Sequence, residues 1–122
     1  MILGMGCDIV DNRRFKRWLK AYKKPFLSKF LHPVEIKALD LENSVIHVAG
    51  IFAVKEAVIK AVSRIASQPV GYLNVRIKTF PGKMPQVKLV RTRIKKYQSI
   101  KFHVSVSHEK QFSMATVICE NS

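Results

Sequence analysis

The sequence predicts an α+β fold in which an antiparallel sheet packs against a long central helix. Three observations lead there. The first half of the chain carries mostly helical spacing and the second half mostly strand alternation. The segment 44–66 is apolar almost all round, the pattern of a helix buried on every side. No internal repeat, low-complexity tract or Gly/Ser linker divides the chain, so residues 1–122 are expected to form one domain. With 122 residues and 48% apolar content, such a chain can bury roughly two thirds of its surface.

Residues 2–10 are expected to form a strand. Ile2, Gly4, Gly6 and Asp8 share one face, and Leu3, Met5, Cys7 and Ile9 the other. Asp11 is placed to N-cap a helix from Asn12 to about Lys23. Phe15, Trp18, Leu19 and Tyr22 form its apolar stripe, and Arg13, Arg17, Lys20 and Lys24 lie opposite. Residues 26–40 suggest short helices broken at Pro33, with Glu35 in the first turn after the proline. In the long helix 44–66, Glu56, Lys60 and Ser63 interrupt one side, while Lys55 and Arg64 point elsewhere. Pro69 and Gly71 end that region. Leu73, Val75 and Ile77 then alternate with polar residues as a strand, Pro81-Gly82 suits the corners of a type II turn, and Val87 and Leu89 continue on a second strand. Residues 91–99 are polar and ambiguous. Phe102, Val104 and Val106 alternate with His103, Ser105 and Ser107, His108 ends that face, and a turn at Glu109–Gln111 leads into a last strand, Phe112–Cys119.

Composition excludes several classes. The apolar runs at Met1–Cys7 and Val45–Val54 fall well short of the roughly 18–20 residues a membrane span needs. No basic segment precedes the first run, and the start is not rich in Arg and Ser, which argues against signal and transit peptides. Two cysteines, Cys7 and Cys119, are too few for a disulfide scaffold and lack metal-binding spacing; both are expected to be buried strand residues of a reduced cytoplasmic protein. The formal net charge of +14 implies an anionic partner: nucleic acid, an acidic protein or a phosphate-rich small molecule. No zinc-finger, RNP-like or helix-turn-helix signature supports the first.

Four features could carry chemistry. Asp8 follows two glycines on its face of an otherwise apolar strand, where glycines permit close approach of a ligand or another backbone; it could equally just end the strand. Glu56 either pairs with Lys60 one turn on at a solvated edge or is a buried carboxylate that needs a cation or firm hydrogen bonds. His108 is either structural or a donor to phosphate. The helix 12–24 has no acid after Asp11 and either presents a solvated face or docks to something negative. Two carboxylates without a Cys/His cluster favour a hard oxygen-seeking cation, Mg²⁺ before Zn²⁺. Asp8, Glu56 and a diphosphate would satisfy that preference.

With these residues laid out, the chain resembles the holo-acyl-carrier-protein synthases, small phosphopantetheinyl transferases. Four blocks carry the resemblance, in family order and over nearly the whole chain. They are Gly4-Met5-Gly6-Cys7-Asp8-Ile9-Val10-Asp11 with Arg14 and Phe15; Phe30-Leu31 through Glu35, with His32 where the family has threonine; Ala49-Gly50-Ile51-Phe52-Ala53-Val54-Lys55-Glu56-Ala57 with Lys60-Ala61; and Val104-Ser105-Val106-Ser107-His108-Glu109 with Ala115 and Val117. The chain departs from the family pattern at three places: Ile51 replaces an arginine, Val62-Ser63-Arg64-Ile65 replaces a Gly-rich turn, and Met84 is an extra residue before Pro85.

The resemblance implies the phosphopantetheinyl transferase fold and a reaction supporting fatty acid biosynthesis. Coenzyme A donates 4′-phosphopantetheine to a serine of apo-acyl carrier protein, and adenosine 3′,5′-bisphosphate leaves. It implies that Asp8 and Glu56 hold Mg²⁺ against the diphosphate, that Lys60 offsets phosphate charge, and that His108 contacts the coenzyme. The serine proton passes to Glu56 or to a metal-held water with Glu35 nearby. Arg13, Arg14, Arg17 and Lys20 would dock the acidic carrier. The family also implies a cytoplasmic homotrimer with active sites at subunit interfaces, where Asp8 and Glu56 could meet across a boundary; neither membrane nor nucleic acid is a partner.

Overall fold

The computed structural model describes residues 1–39, 45–80, 82–92, 94 and 99–121. The elements run β1 (Ile2–Asp11), α1 (Asn12–Ser28), α2 (Pro33–Lys37), α3 (Val45–Val62), a 3₁₀ turn (Tyr72–Asn74), β2 (Val75–Lys78), β3 (Gln86–Leu89), β4 (Ile100–His108) and β5 (Phe112–Asn121). β1, β5 and β4 form an antiparallel sheet in that order, and β2 and β3 form a separate hairpin.

α3 lies on one face of the three-stranded sheet. It is the core: eleven of its residues are buried, among them Ala53, Val54, Ala57 and Val58. β1 can approach it only because it carries glycine. A Cβ built on Gly4 would sit 1.9 Å from the Ala61 carbonyl oxygen, and one on Gly6 would sit 1.8 Å from that of Ala57. The close approach expected of these glycines is therefore made by another backbone. Ala115, Val117 and Cys119 of β5 complete the sheet's inner face.

Asp11 caps α1 as expected, accepting from the amides of Arg13 and Arg14. The helix kinks at Lys23, where φ is 50°. This places Pro25 in the first turn of a new short segment, where its missing N–H costs nothing. Phe15, Phe26, Phe30 and Phe52 then close an aromatic cluster, with Phe30 and Phe52 5.1 Å apart. At α2, His32 performs the capping that a threonine would. Its Nδ1 accepts from the Val34 amide at 3.2 Å, while Glu35 accepts from the His32 amide at 2.8 Å.

Several expectations are corrected. The apolar stripe of α1 is only half covered: Phe15 is buried, but Tyr22 is 62% exposed. Leu73 belongs to the 3₁₀ turn and is exposed; β2 starts only at Val75. Cys7 is exposed, since it lies on the outer face of β1, which none of the described elements covers; Cys119 is buried. Met5, Ile9 and Met114 share that open face. Gly82 has φ 69°, as the second corner of a type II turn requires. Pro81, the helix start at 44 and part of the polar 91–99 segment lie outside the described residues. No described helix is long and apolar enough to cross a membrane.

Candidate active site

Asp8 and Glu56 line one cleft of about 390 Å³ between β1, α1 and α3. β1 supplies Asp8, two residues beyond Gly6 on the face that meets α3. α3 supplies Glu56, next to the Ala57 carbonyl that Gly6 abuts. Arg14, Trp18, Phe52 and Phe112 form the walls. The family implication that the two carboxylates could meet across a subunit boundary is thus corrected: one chain brings them together.

Each carboxylate has one principal protein partner. Asp8 Oδ1 accepts from Lys60 Nζ at 3.2 Å, and the same ammonium donates to the Cys7 carbonyl at 2.9 Å. Glu56 Oε1 accepts from the Tyr72 hydroxyl at 2.5 Å. Among the described residues Glu56 makes no ion pair with Lys60, although the two stand one turn apart on α3. Desolvation raises the Asp8 pKa; Lys60 opposes the rise and the Glu56 charge adds to it. The Tyr72 phenol is pushed up to about 12 by desolvation and by its bond to Glu56, so it stays protonated and donates.

This donor set fits a hard divalent cation. Asp11 also lines the cleft but spends its carboxylate on capping α1, and the repulsion between Asp8 and Glu56 is what a cation relieves. Among the described residues no group of three His, Cys, Asp or Glu side chains is placed to hold a metal ion. The cleft therefore suits an ion that takes one or two carboxylates and fills its shell with water and substrate phosphate.

The other expected site residues fall in two places. Arg13, Arg14, Arg17 and Lys20 are exposed along α1. Arg14 links that basic face to the cleft, with its guanidinium 4.8 Å from the Trp18 ring centroid. His108 is elsewhere, in a pocket of about 340 Å³ with His47, Gly50, Ile51 and Met84. Residues 47, 50, 51 and 54 form one side of α3, and Phe52, Glu56 and Lys60 form another. The departures at Ile51 and Met84 cluster in the His108 pocket, away from the carboxylates. Ser63 follows the end of α3, where its hydroxyl donates to the Lys60 carbonyl.

Glu35, expected near a metal-held water at the site, is instead a structural anchor. Its Oε1 accepts from Lys55 Nζ at 2.7 Å, its Oε2 accepts from the Ile77 amide at 3.0 Å, and it does not line the cleft. The Lys55 side chain is 0% exposed. Burial pulls its pKa down, while Glu35 pulls the other way. Lys55 also donates to the Tyr72 carbonyl at 3.2 Å. Sequence reasoning missed Tyr72 altogether. It follows a Pro/Gly break, and no periodicity marks it.

A β-strand and a central helix that pair two carboxylates beneath a basic helix define a class, and comparison with known proteins agrees. Residues 4–117 match the 4′-phosphopantetheinyl transferase superfamily, and the chain belongs to it. Its relatives include the holo-[acyl-carrier-protein] synthase of Desulfovibrio desulfuricans, 34% identical over 98% of both chains. That of Maridesulfovibrio salexigens is 31% identical over 98% of this chain and 99% of the relative. Among solved structures, the Helicobacter pylori holo-[acyl-carrier-protein] synthase in complex with coenzyme A superposes with a TM-score of 0.78 at 31% identity, covering 95% of this chain and 99% of that one. The Bacillus anthracis enzyme in complex with CoA (3′,5′-ADP) gives 0.79 at 30% identity, covering 100% and 99%.

Proposed function

We propose that this chain transfers 4′-phosphopantetheine from coenzyme A to a serine of apo-acyl carrier protein, releasing adenosine 3′,5′-bisphosphate. The observation that carries the reading is the joining of Asp8 and Glu56 in one cleft under the basic face of α1, with Lys60 bonded to Asp8. The serine oxygen forms a bond to the β-phosphorus, the bond from that phosphorus to the bridging oxygen breaks, and the nucleotide keeps the bridging electrons. Mg²⁺, held by Asp8 and Glu56, would supply Lewis-acid stabilisation of the diphosphate charge. Lys60 offsets further phosphate charge. Glu35 is locked in its own ion pair, and Glu56 would take the serine proton.

Arg13, Arg14, Arg17 and Lys20 would receive the acidic carrier and bring its serine to the cleft through Arg14. His108 would contact the coenzyme from a neighbouring copy. In one chain His108 and Glu56 lie on different sides of α3, so a ligand spanning both needs a second subunit. The open apolar face bearing Met5, Ile9 and Met114 suits burial in a homotrimer. The whole chain acts as one domain in this reading. Its free thiols suit a reducing cytoplasm.

Liquid chromatography of a reaction containing coenzyme A, apo-carrier and Mg²⁺ tests the proposal. Adenosine 3′,5′-bisphosphate should accumulate one-for-one with modified carrier and vanish with EDTA. Bisphosphate formed without carrier modification would contradict it.

A further inference from the structure

We propose that Tyr72 is a positioning residue of the carboxylate cleft: its hydroxyl holds Glu56 away from Lys60, leaving Lys60 to Asp8. This rests on the metal-holding role given above to Asp8 and Glu56. On α3 two partners compete for Lys60. Glu56 and Lys60 stand four residues apart, the spacing at which a glutamate and a following lysine pair best on a helix. They do not pair. Lys60 turns to Asp8 and the Cys7 carbonyl, and Glu56 turns to the Tyr72 hydroxyl at 2.5 Å.

Tyr72 is held for this task at both ends. Consecutive residues of α3 grip it: Lys55 donates to its backbone carbonyl, and Glu56 accepts from its hydroxyl. Lys55 is itself fixed by Glu35 at 2.7 Å. The Tyr72 ring leans on Phe52, with centroids 5.7 Å apart. The turn beneath is tied down by Asn74, whose side chain accepts from the Gly71 amide and donates to the Val90 carbonyl. A glutamate side chain is long and mobile, and a rigid donor selects one of its rotamers. Partners of this kind orient ligating carboxylates, and their loss typically weakens metal binding about 10–100-fold.

The experiment is Tyr72→Phe, read by Mn²⁺ titration with electron paramagnetic resonance on the full chain, alongside thermal unfolding. The phenyl ring keeps its packing on Phe52, so the unfolding midpoint should stay close to wild type while the Mn²⁺ dissociation constant rises about 10-fold. In a Lys60→Met background, where Glu56 has no competing ammonium, the same change should cost clearly less. An unchanged Mn²⁺ affinity in Tyr72→Phe, or an equal loss in both backgrounds, would overturn the proposal. Wild-type protein that binds no Mn²⁺ would overturn the metal-holding role of Asp8 and Glu56, and this inference with it.

Discussion

Gly6→Ala should separate the two elements that build the cleft. A Cβ at Gly6 lies 1.8 Å from the Ala57 carbonyl oxygen and 2.9 Å from the Ala61 amide nitrogen, whereas ordinary contact begins at 3.4 Å. The obstacle is helix backbone, so no side chain can swing aside. β1 and α3 must part by roughly 1.5 Å, in a core where Ala57, Val58 and Ala61 are already packed. The expected cost is about 3 kcal/mol or more, at the upper end of overpacking changes. In a domain of this size that lowers Tm by roughly 10–15 °C. Asp8 and Glu56 flank the forced contact, so transfer by the folded variant should fall about 100-fold. Circular dichroism melts give the first number, and carrier modification at 15 °C, below both midpoints, gives the second. Gly50→Ala is the control. Its Cβ would meet nothing closer than 3.6 Å, and alanine inside a helix gains about 0.5–1 kcal/mol. Its Tm should rise a few degrees. A Gly6→Ala Tm within about 2 °C of wild type, or an equal loss in Gly50→Ala, would refute the reasoning.

Three further outcomes follow from the same contacts. Lys55→Met leaves the buried Glu35 without its cation and should cost about 3–5 kcal/mol in urea unfolding. Arg17→Glu should raise the KM for acyl carrier protein at low salt, leave kcat at saturation near wild type, and lose most of its effect at high salt. In the proposed homotrimer each site would take its carboxylates and its histidine from different subunits, so Glu56→Ala and His108→Ala, each inactive alone, should recover about a quarter of wild-type activity when refolded together. Absence of recovery, with mixed oligomers verified, would place both groups of each site in one chain.

Elements whose signals are local were legible in the sequence. The alternation of β1, the capping by Asp11 and the all-round apolar character of α3 each follow from neighbours a few residues apart. The glycines at 4 and 6 signalled a close approach, though only the fold shows that a helix backbone fills it. Asp8 and Glu56 stood out because each interrupts an apolar element. What was not legible depends on distant partners. Lys55 looks like one more helix charge until Glu35, twenty residues earlier, is folded against it. Tyr72 lies in a turn with no pattern, and its role exists only through Glu56. Cys7 was expected to be buried because strand periodicity gives faces without saying which one is covered.

The central claim is that the Asp8–Glu56 cleft performs phosphopantetheine transfer. Intact-mass spectrometry of apo-acyl carrier protein after incubation with coenzyme A and Mg²⁺ tests it most directly, comparing wild type with folded Glu56→Ala. Wild type should add one phosphopantetheine, and neither the EDTA control nor Glu56→Ala should add any. Undiminished modification by Glu56→Ala, or no modification by folded wild type across a range of carrier proteins, would contradict the account.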